Sequence, residues 1–524
     1  MPDTDAGRSD ELIARALDRT AGAPLVTGNA VRLLRDAGEN YPAWLEAIRS
    51  AERYIYFESY IVYDDDVGAA FADALCSRAS EGVRVRVIYD WLGAVGKTSR
   101  RFWRRLREAG VDVRCYNPPR LSSPLGWLHR DHRKMLSVDG RIAFITGLCV
   151  GRPWAGDPER GIPPWRDTGV EIRGPAVADV EAAFAEVWAH MGPPLPEGER
   201  VPRERMEPAG TVALRVVASS LGSTGILRLD QLVAAGARDR LWLTDAYFAG
   251  IPSYVQALRA AAQDGVDVRL LVPGATDVPL LRPLSLAGFR PLLEAGVRVF
   301  EWKGSMMHAK TAVADGRWAR VGSSNLNISS WVANLELDAV VEDAEFAAEM
   351  ERVYLEDLEN TTEIVLPRAR RRAASSERPA HRARPAARLS GASAGRAAAG
   401  ALRIGNTVGA AIVDRRVLAP TEAKILGLAG LGLLLVAAIA LVLPRFLAAA
   451  LAIVFGWIGA ALLVKAAALW RERSDTHRSV SIERQPESST RPGDAALVPE
   501  PVGTPPPLAG TPSRPEDLPR TDDQ

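Results

Sequence analysis

The sequence predicts an α/β fold built twice: two α/β/α sandwich halves packed around one shared site, then a two-helix hairpin able to cross a bilayer, then a disordered tail. Three observations predict it. The pattern His-x-Lys-x4-Asp-Gly occurs at His132, Lys134, Asp139 and Gly140, and again at His308, Lys310, Asp315 and Gly316. The stretches before the two copies also repeat in order. Near the C-terminus, Ile425–Leu443 and Phe446–Val464 are uncharged apolar runs, each long enough to span a membrane as a helix.

Residues 1–23 form a short polar arm whose opening, M-P-D-T-D-A-G-R-S-D-E-L, has no signal-peptide pattern. The first half, residues 24–205, is expected to run helix Tyr41–Ala51, strand Tyr54–Val62, helix Val67–Ser80, strand Val83–Tyr89, helix Arg100–Ala109 and strand Val111–Tyr116 before the first motif. Such alternation belongs to a mixed or parallel sheet flanked by helices. The second half, residues 206–366, replays it. L-W-L-T-D-A-Y-F (Leu241–Phe248) answers the Tyr54 strand, and A-L-R-A-A-A-Q-D-G-V-D-V-R-L-L-V (Ala257–Val272) answers A-L-C-S-R-A-S-E-G-V-R-V-R-V-I-Y (Ala74–Tyr89). L-L-E-A-G-V-R-V-F (Leu292–Phe300) answers L-R-E-A-G-V-D-V-R (Leu106–Arg114). An internal duplication follows.

Past Leu366 the composition changes. Residues 367–423 read as a basic linker: Arg368–Arg396 holds nine arginines against the single acid Glu377, and such a stretch buries no core. Residues 424–466 hold the hairpin, whose runs are separated only by Pro444 and Arg445 and flanked outside by Lys424, Lys465, Arg471 and Arg473. By the positive-inside tendency both outer ends, and the catalytic body with them, face the cytoplasm. The tail, residues 467–524, is rich in Pro, Ser, Thr and charge, and is expected to be disordered. Cys76, Cys115 and Cys149 are odd in number and far apart, which argues against a disulfide framework.

The motif chemistry points to phosphate esters. Residues i and i+2 of a strand share a face, so His308 and Lys310 are expected to enter one pocket from a strand, as are His132 and Lys134. An imidazole beside an ammonium suits an anion better than a metal, and no metal or cofactor is called for. One histidine can attack phosphorus while the other protonates the leaving alcohol. The lysines, with Asn325 and Ser323, are expected to bind the non-bridging oxygens. Asp167 and Glu336 each open a strand after their motif and are candidates to hold an imidazole in one tautomer. Asp139 and Asp315 complete the catalytic motif, although each stands before a turn glycine and reads more naturally as a turn residue.

Both motifs resemble the HKD motifs of the phospholipase D superfamily, and the resemblance spans Pro24–Leu366. E-S-Y-I-V (Glu58–Val62), E-G-V-R-V-R-V-I-Y-D-W-L-G (Glu81–Gly93), W-R-D-T (Trp165–Thr168), R-G-P-A-V (Arg173–Val177), G-S-S-N-L-N (Gly322–Asn327) and N-L-E-L (Asn334–Leu337) look most like the bacterial cardiolipin synthases. The resemblance implies metal-free transfer of a phosphatidyl group between phospholipid alcohols through a phosphohistidine, with phosphatidylglycerol as substrate. It makes His132 the nucleophile and His308 the acid, and implies a multi-pass protein of the bacterial inner (cell) membrane. The first motif departs from the family's G-G-x-N ending: Thr146 and Gly147 stand at the glycines and Cys149 at the asparagine. Cys149 reads as a packing residue. The alternatives are a phospholipase D-type hydrolase, a nuclease using the same site, and a weak scaffold. The hairpin and a near-neutral body favour lipid, and no nucleic acid partner is expected, since a nuclease should show a basic groove.

Overall fold

The computed structural model describes residues 20–119, 129–219, 225–277, 281–366 and 456–457, with the backbone alone for 281–287. The linker, nearly all of the hairpin, the tail and most of the N-terminal arm lie outside the described residues. All described residues belong to one unit, Met1–Leu463. No helix among them is long and apolar enough to cross a membrane.

The first half supplies β1 (Val26–Arg35), β2 (Tyr54–Ser59), β3 (Arg84–Asp90), β4 (Asp112–Tyr116), β5 (Arg130–Asp131), β6 (Lys134–Val138), β7 (Ile142–Thr146) and β8 (Thr168–Arg173). The second supplies β9 (Val212–Ala218), β10 (Arg240–Thr244), β11 (Asp267–Pro273), β12 (Arg298–Trp302), β13 (Thr311–Ala314), β14 (Trp318–Gly322), β15 (Asn334–Leu335), β16 (Leu337–Glu342) and β17 (Thr361–Ile364). Fifteen of these strands make one continuous sheet, ordered β17-β12-β11-β10-β13-β14-β16-β9-β1-β8-β7-β6-β2-β3-β4. Read outward from its middle, the order on one side repeats the order on the other, so the duplication is a duplication of topology. The seam is the antiparallel pair β1–β9, with Val26 opposite Leu214 and Asn29 opposite Val212. Neither seam strand is legible as a strand in the sequence reading. Their apolar residues are interrupted by Gly28, Asn29 and Arg215, and the strands exist because they close the join between halves.

Helices cover both faces. Asp36–Arg49, Asp66–Ser80 and Arg100–Glu108 bury Tyr41, Trp44, Phe71, Leu75, Phe102 and Leu106 against the first half of the sheet. The apolar spacing of three or four residues places these side chains on one stripe. Asp65 and Ser99 accept backbone N–H groups at the starts of the second and third helices. Pro252–Gln263 does the same for the second half with Tyr254 and Leu258. On the opposite face, Val177–His190 and Ala344–Glu359 pack into a core that draws Tyr56, Met135 and Val170 from one half and Leu214, Val321 and Leu337 from the other. That shared core locks the halves together and brings equivalent strand ends to one place.

The motif aspartates hold the far end of this architecture. Asp139 accepts the backbone N–H groups of Glu52, Arg53 and Tyr54, each at 2.8 Å, and Asp315 accepts those of Arg238, Asp239 and Arg240 at 2.9–3.0 Å. Both sit at positive φ, 56° and 50°, where a short polar side chain is tolerated. Asp139 is five residues along β6 from Lys134, about 16 Å at strand rise. The catalytic grouping of Asp139 and Asp315 is therefore corrected: they are remote from the histidines and fix the entry into β2 and β10. Asp139→Ala leaves three N–H groups without an acceptor and is expected to destabilise the fold by about 3 kcal/mol. Urea unfolding reads that loss, while turnover per folded molecule stays within a few-fold of the parent.

Candidate active site

The histidines do not lie within strands, contrary to the expectation from their i, i+2 spacing. His132 falls between β5 and β6, and His308 precedes β13. Each leaves its own sheet to bond the opposite half: His132 N–H donates to Leu335 O at 2.9 Å, and His308 N–H donates to Arg166 O at 2.7 Å. Parallel pairing of Arg130–Asp131 with Asn334–Leu335, and a bridge of Arg166 with Met307, complete the exchange. Leu335 and Arg166 directly precede the two candidate acids. The clamps therefore deliver each acid to the other half's histidine.

The pairing is crossed. His132 Nδ1 lies 2.9 Å from Glu336 Oε2, and His308 Nδ1 lies 2.6 Å from Asp167 Oδ2. Each Nδ1–H donates to a carboxylate, which leaves Nε2 as the nitrogen carrying the lone pair. Both acids are fully buried and further held. Trp154 Nε1–H donates to Asp167 Oδ2 at 3.0 Å, and Thr168 N–H to Asp167 Oδ1 at 2.8 Å. Asn334 Nδ2 donates to Glu336 Oε1 at 3.1 Å, and Ser323 Oγ–H donates to Glu336 Oε2 at 2.5 Å.

That last bond corrects the substrate-binding role expected for Ser323. Its single hydroxyl proton goes to Glu336 and its oxygen accepts Leu337 N–H at 3.0 Å, so no donor is left for a ligand. Ser323 supports the acid. The equivalent position in the first motif is Gly147, where an added Cβ would meet Asp167 Oδ1 at 2.2 Å. One half holds its acid with a hydroxyl, the other makes room for it with a glycine. Asn325 is buried, its N–H bonded to Ser330 Oγ, and its carboxamide oxygen has no partner among the described residues. Cys149, at the equivalent place, is buried in the first-half core, and burial pushes its thiol up.

The lysines and four aromatic rings complete the enclosure. Lys310 Nζ lies beside the His308 ring, 2.9 Å from Nδ1 and 3.1 Å from Nε2, and 5.7 Å from the Tyr247 ring centre, while Lys134 Nζ is 5.3 Å from the Tyr60 ring centre. Tyr60 packs on His132 with centroids 4.9 Å apart; Trp154, Trp165 and Tyr247 pack around His308 at 5.3, 5.6 and 5.8 Å. Sequence reasoning missed all four rings as site residues. A signal existed for the tyrosines: Glu58-x-Tyr60 and Asp245-x-Tyr247 end the matching strands of the two halves. None existed for Trp154, which sits on a segment without counterpart in the second half.

Burial pushes both imidazoles down to about 4, with the neighbouring lysine adding to the shift and the paired carboxylate opposing it. Burial by itself would raise Glu336, but His132, Lys134 and Ser323 hold it down to about 2. Burial also lowers Lys310 to about 8, reinforced by Lys134. At neutral pH the site thus holds two neutral imidazoles, ionised acids and a positive lysine. Among the described residues, no group of three or more His, Cys, Asp or Glu side chains is arranged to hold a metal ion.

A family model described as "Cardiolipin synthase, PLD-like domain" matches residues 44–151 and 232–358, which contain both His-x-Lys motifs. The chain is 31% identical over 377 residues to a cardiolipin synthase of Halalkalibacterium halodurans, covering 70% of this chain and 73% of that one. It is 32% identical over 362 residues to cardiolipin synthase A of Pseudomonas fluorescens, covering 67% and 73%. The chain belongs to the cardiolipin synthase family of the phospholipase D superfamily. It is an enzyme of that kind. Among solved structures, phosphatidylserine synthase from Haemophilus influenzae shares the fold with a TM-score of 0.52 at 16% identity, covering 67% of this chain and 92% of that one. For this cardiolipin synthase family member, Asp167 lies outside the matched segments.

Proposed function

We propose that this enzyme is a membrane-anchored phosphatidyltransferase of cardiolipin synthase type, moving a phosphatidyl group between phospholipid alcohols through a covalent phosphohistidine. The observation that carries the reading is the pair of buried imidazoles, each oriented by an acid of the opposite half and each backed by a lysine. In the first displacement His132 Nε2 forms a bond to phosphorus as the P–O bond to the leaving glycerol breaks, and His308 gives that oxygen its proton. In the second, the hydroxyl of another phospholipid attacks phosphorus, its proton passes to His308, and the N–P bond breaks. The bound phosphodiester is an anion, and its charge favours the protonated His308 that burial disfavours. Lys134, Lys310 and Asn325 meet the non-bridging oxygens.

The assignment of His132 as nucleophile has support in an asymmetry. Lys310 Nζ crowds the His308 ring, 2.9 Å from Nδ1 and 3.1 Å from Nε2, whereas no ammonium stands at hydrogen-bond distance from a His132 ring nitrogen among the described residues. The two C-terminal apolar runs anchor the enzyme beside its substrate as a bilayer hairpin with cytoplasmic ends.

Incubation of the purified enzyme with phosphatidylglycerol is expected to yield cardiolipin and free glycerol in equal amounts by mass spectrometry. Phosphatidic acid in place of cardiolipin makes the enzyme a hydrolase, and cleavage of DNA without lipid turnover sinks the proposal. The pH profile follows from the shifted groups. The free enzyme's two imidazoles both titrate near 4 and the reaction needs one neutral and one protonated, so kcat/KM is expected to be greatest near pH 4 and to decline above it, with a further fall as Lys310 loses its proton through about 8. An acid limb at the ordinary histidine value of 6.5 contradicts the buried, neutral His132.

A further inference from the structure

We infer that the mouth of the site is itself a docking face for an anionic lipid bilayer: aliphatic side chains enter the headgroup region while an arginine cluster beside them binds lipid phosphates. This inference rests on the phospholipid reading of the site.

Four large aliphatic side chains among the described residues stay in water on segments that frame the site. Val95, Ile162, Ile328 and Val332 are 52%, 53%, 53% and 39% exposed. Each is tied to the chemistry by a short tether. Val95 follows Asp90, whose carboxylate accepts the N–H of Asp131, the residue before His132. Ile162 stands three residues before Trp165, which packs on His308. Ile328 stands three after Asn325, and Val332 four before Glu336. Strand direction explains the convergence. The parallel strands β2, β3, β10 and β11 end at the site, and β6 and β13 start from it, so the connections at that edge share one face. An isolated exposed aliphatic residue is ordinary, whereas these four stand on connections that leave the same edge of the sheet.

The helix Arg100–Glu108 supplies the charge. Its sequence, R-R-F-W-R-R-L-R-E, buries Phe102, Trp103 and Leu106 and leaves five arginines exposed. Arg105 pairs with Asp73, and Arg107 donates to Val113 O at 3.3 Å. Among the described residues, Arg100, Arg101 and Arg104 have no carboxylate partner. These three lie toward the start of the helix, which leaves the loop after β3 at the site end of the sheet. Unpaired arginines beside exposed aliphatic side chains complement a surface with phosphates at its rim and hydrocarbon beneath. A single-stranded nucleic acid would call for exposed aromatic stacking platforms, and among the described residues Tyr60, Trp154, Trp165 and Tyr247 pack on the histidines instead.

The test uses the full chain reconstituted in vesicles, with Cys76→Ser and Cys115→Ser. A fluorophore is attached through Ile328→Cys or, at the opposite end of β13, through Arg317→Cys. Quenching by a lipid-borne nitroxide in phosphatidylcholine vesicles containing phosphatidylserine is expected to be several-fold stronger at 328 than at 317. Arg100→Gln, Arg101→Gln and Arg104→Gln together are expected to weaken docking on the order of 100-fold and bring the two labels level. Equal quenching at both positions in the parent overturns the inference. So does a label at 328 that ignores the three substitutions, or one that responds to single-stranded DNA and not to lipid. Strong quenching at 328 without turnover of phosphatidylglycerol upholds the docking face while removing the phosphatidyltransferase reading.

Discussion

His132→Ala is expected to lower phosphatidyl transfer by at least about four orders of magnitude, because it removes the atom that forms the bond to phosphorus. His308→Ala is expected to cost about 10²- to 10⁴-fold, the usual contribution of a positioned general acid. The two losses differ in kind. A substrate whose leaving group departs as a stabilised anion, such as a nitrophenolate, needs no proton. It should restore most of the first displacement to His308→Ala and none to His132→Ala. The released nitrophenolate gives the rate, and peptide mapping after rapid acid-free quench locates the phosphoryl group. A phosphohistidine at position 308 would reverse the assignment, and full activity in either variant would refute a two-histidine mechanism.

Glu336→Gln is expected to lower transfer by roughly 10³- to 10⁴-fold, the scale seen when a histidine loses the carboxylate that fixes its tautomer. The side chain keeps its shape, and Ser323 and Asn334 remain beside it. What changes is His132: a neutral amide no longer selects the Nδ1–H form, so the Nε2 lone pair is not reliably presented. Asp167→Asn acts likewise on His308, with Trp154 still in place. Because the pairing is crossed, the good leaving group separates the two. It should rescue the first displacement of Asp167→Asn and leave Glu336→Gln slow, even though Glu336 belongs to the same half as His308. Rescue of Glu336→Gln with no rescue of Asp167→Asn would be the outcome of pairing within each half. The nitrogen chemical shifts of labelled His132 and His308 give the tautomer of each ring directly.

Much of the fold was legible because the duplication writes the same periodicities twice. The strand–helix order from Tyr54 to Tyr116 and its echo from Leu241 to Phe300 rest on local patterns of burial, which survive translation into structure with shifts of a few residues. The pairing of His with Lys two positions on was legible for the same reason. Ser323 was misjudged because a hydroxyl in a G-S-S-N turn is a generic donor until its partner is known. That partner, Glu336, lies thirteen residues away and is reached only when β14 and β16 pair. Trp154 carries no local mark of its function, and Tyr60 is marked only by its repeat at Tyr247. They matter because the fold turns their rings onto imidazoles supplied by distant segments.

Taken alone, the sequence determined the repeated topology, the phosphate-ester chemistry of two His-Lys pairs and the two acids available to orient them. These follow from short-range spacing and side-chain chemistry. The tertiary structure decided which acid serves which histidine, that Asp139 and Asp315 brace turns about 16 Å away along their strands, and that one lysine engages one imidazole more closely than its twin. Those facts depend on the β1–β9 seam and on backbone bonds that pass each histidine to the opposite half. Contacts made between halves leave no trace in the spacing within either one.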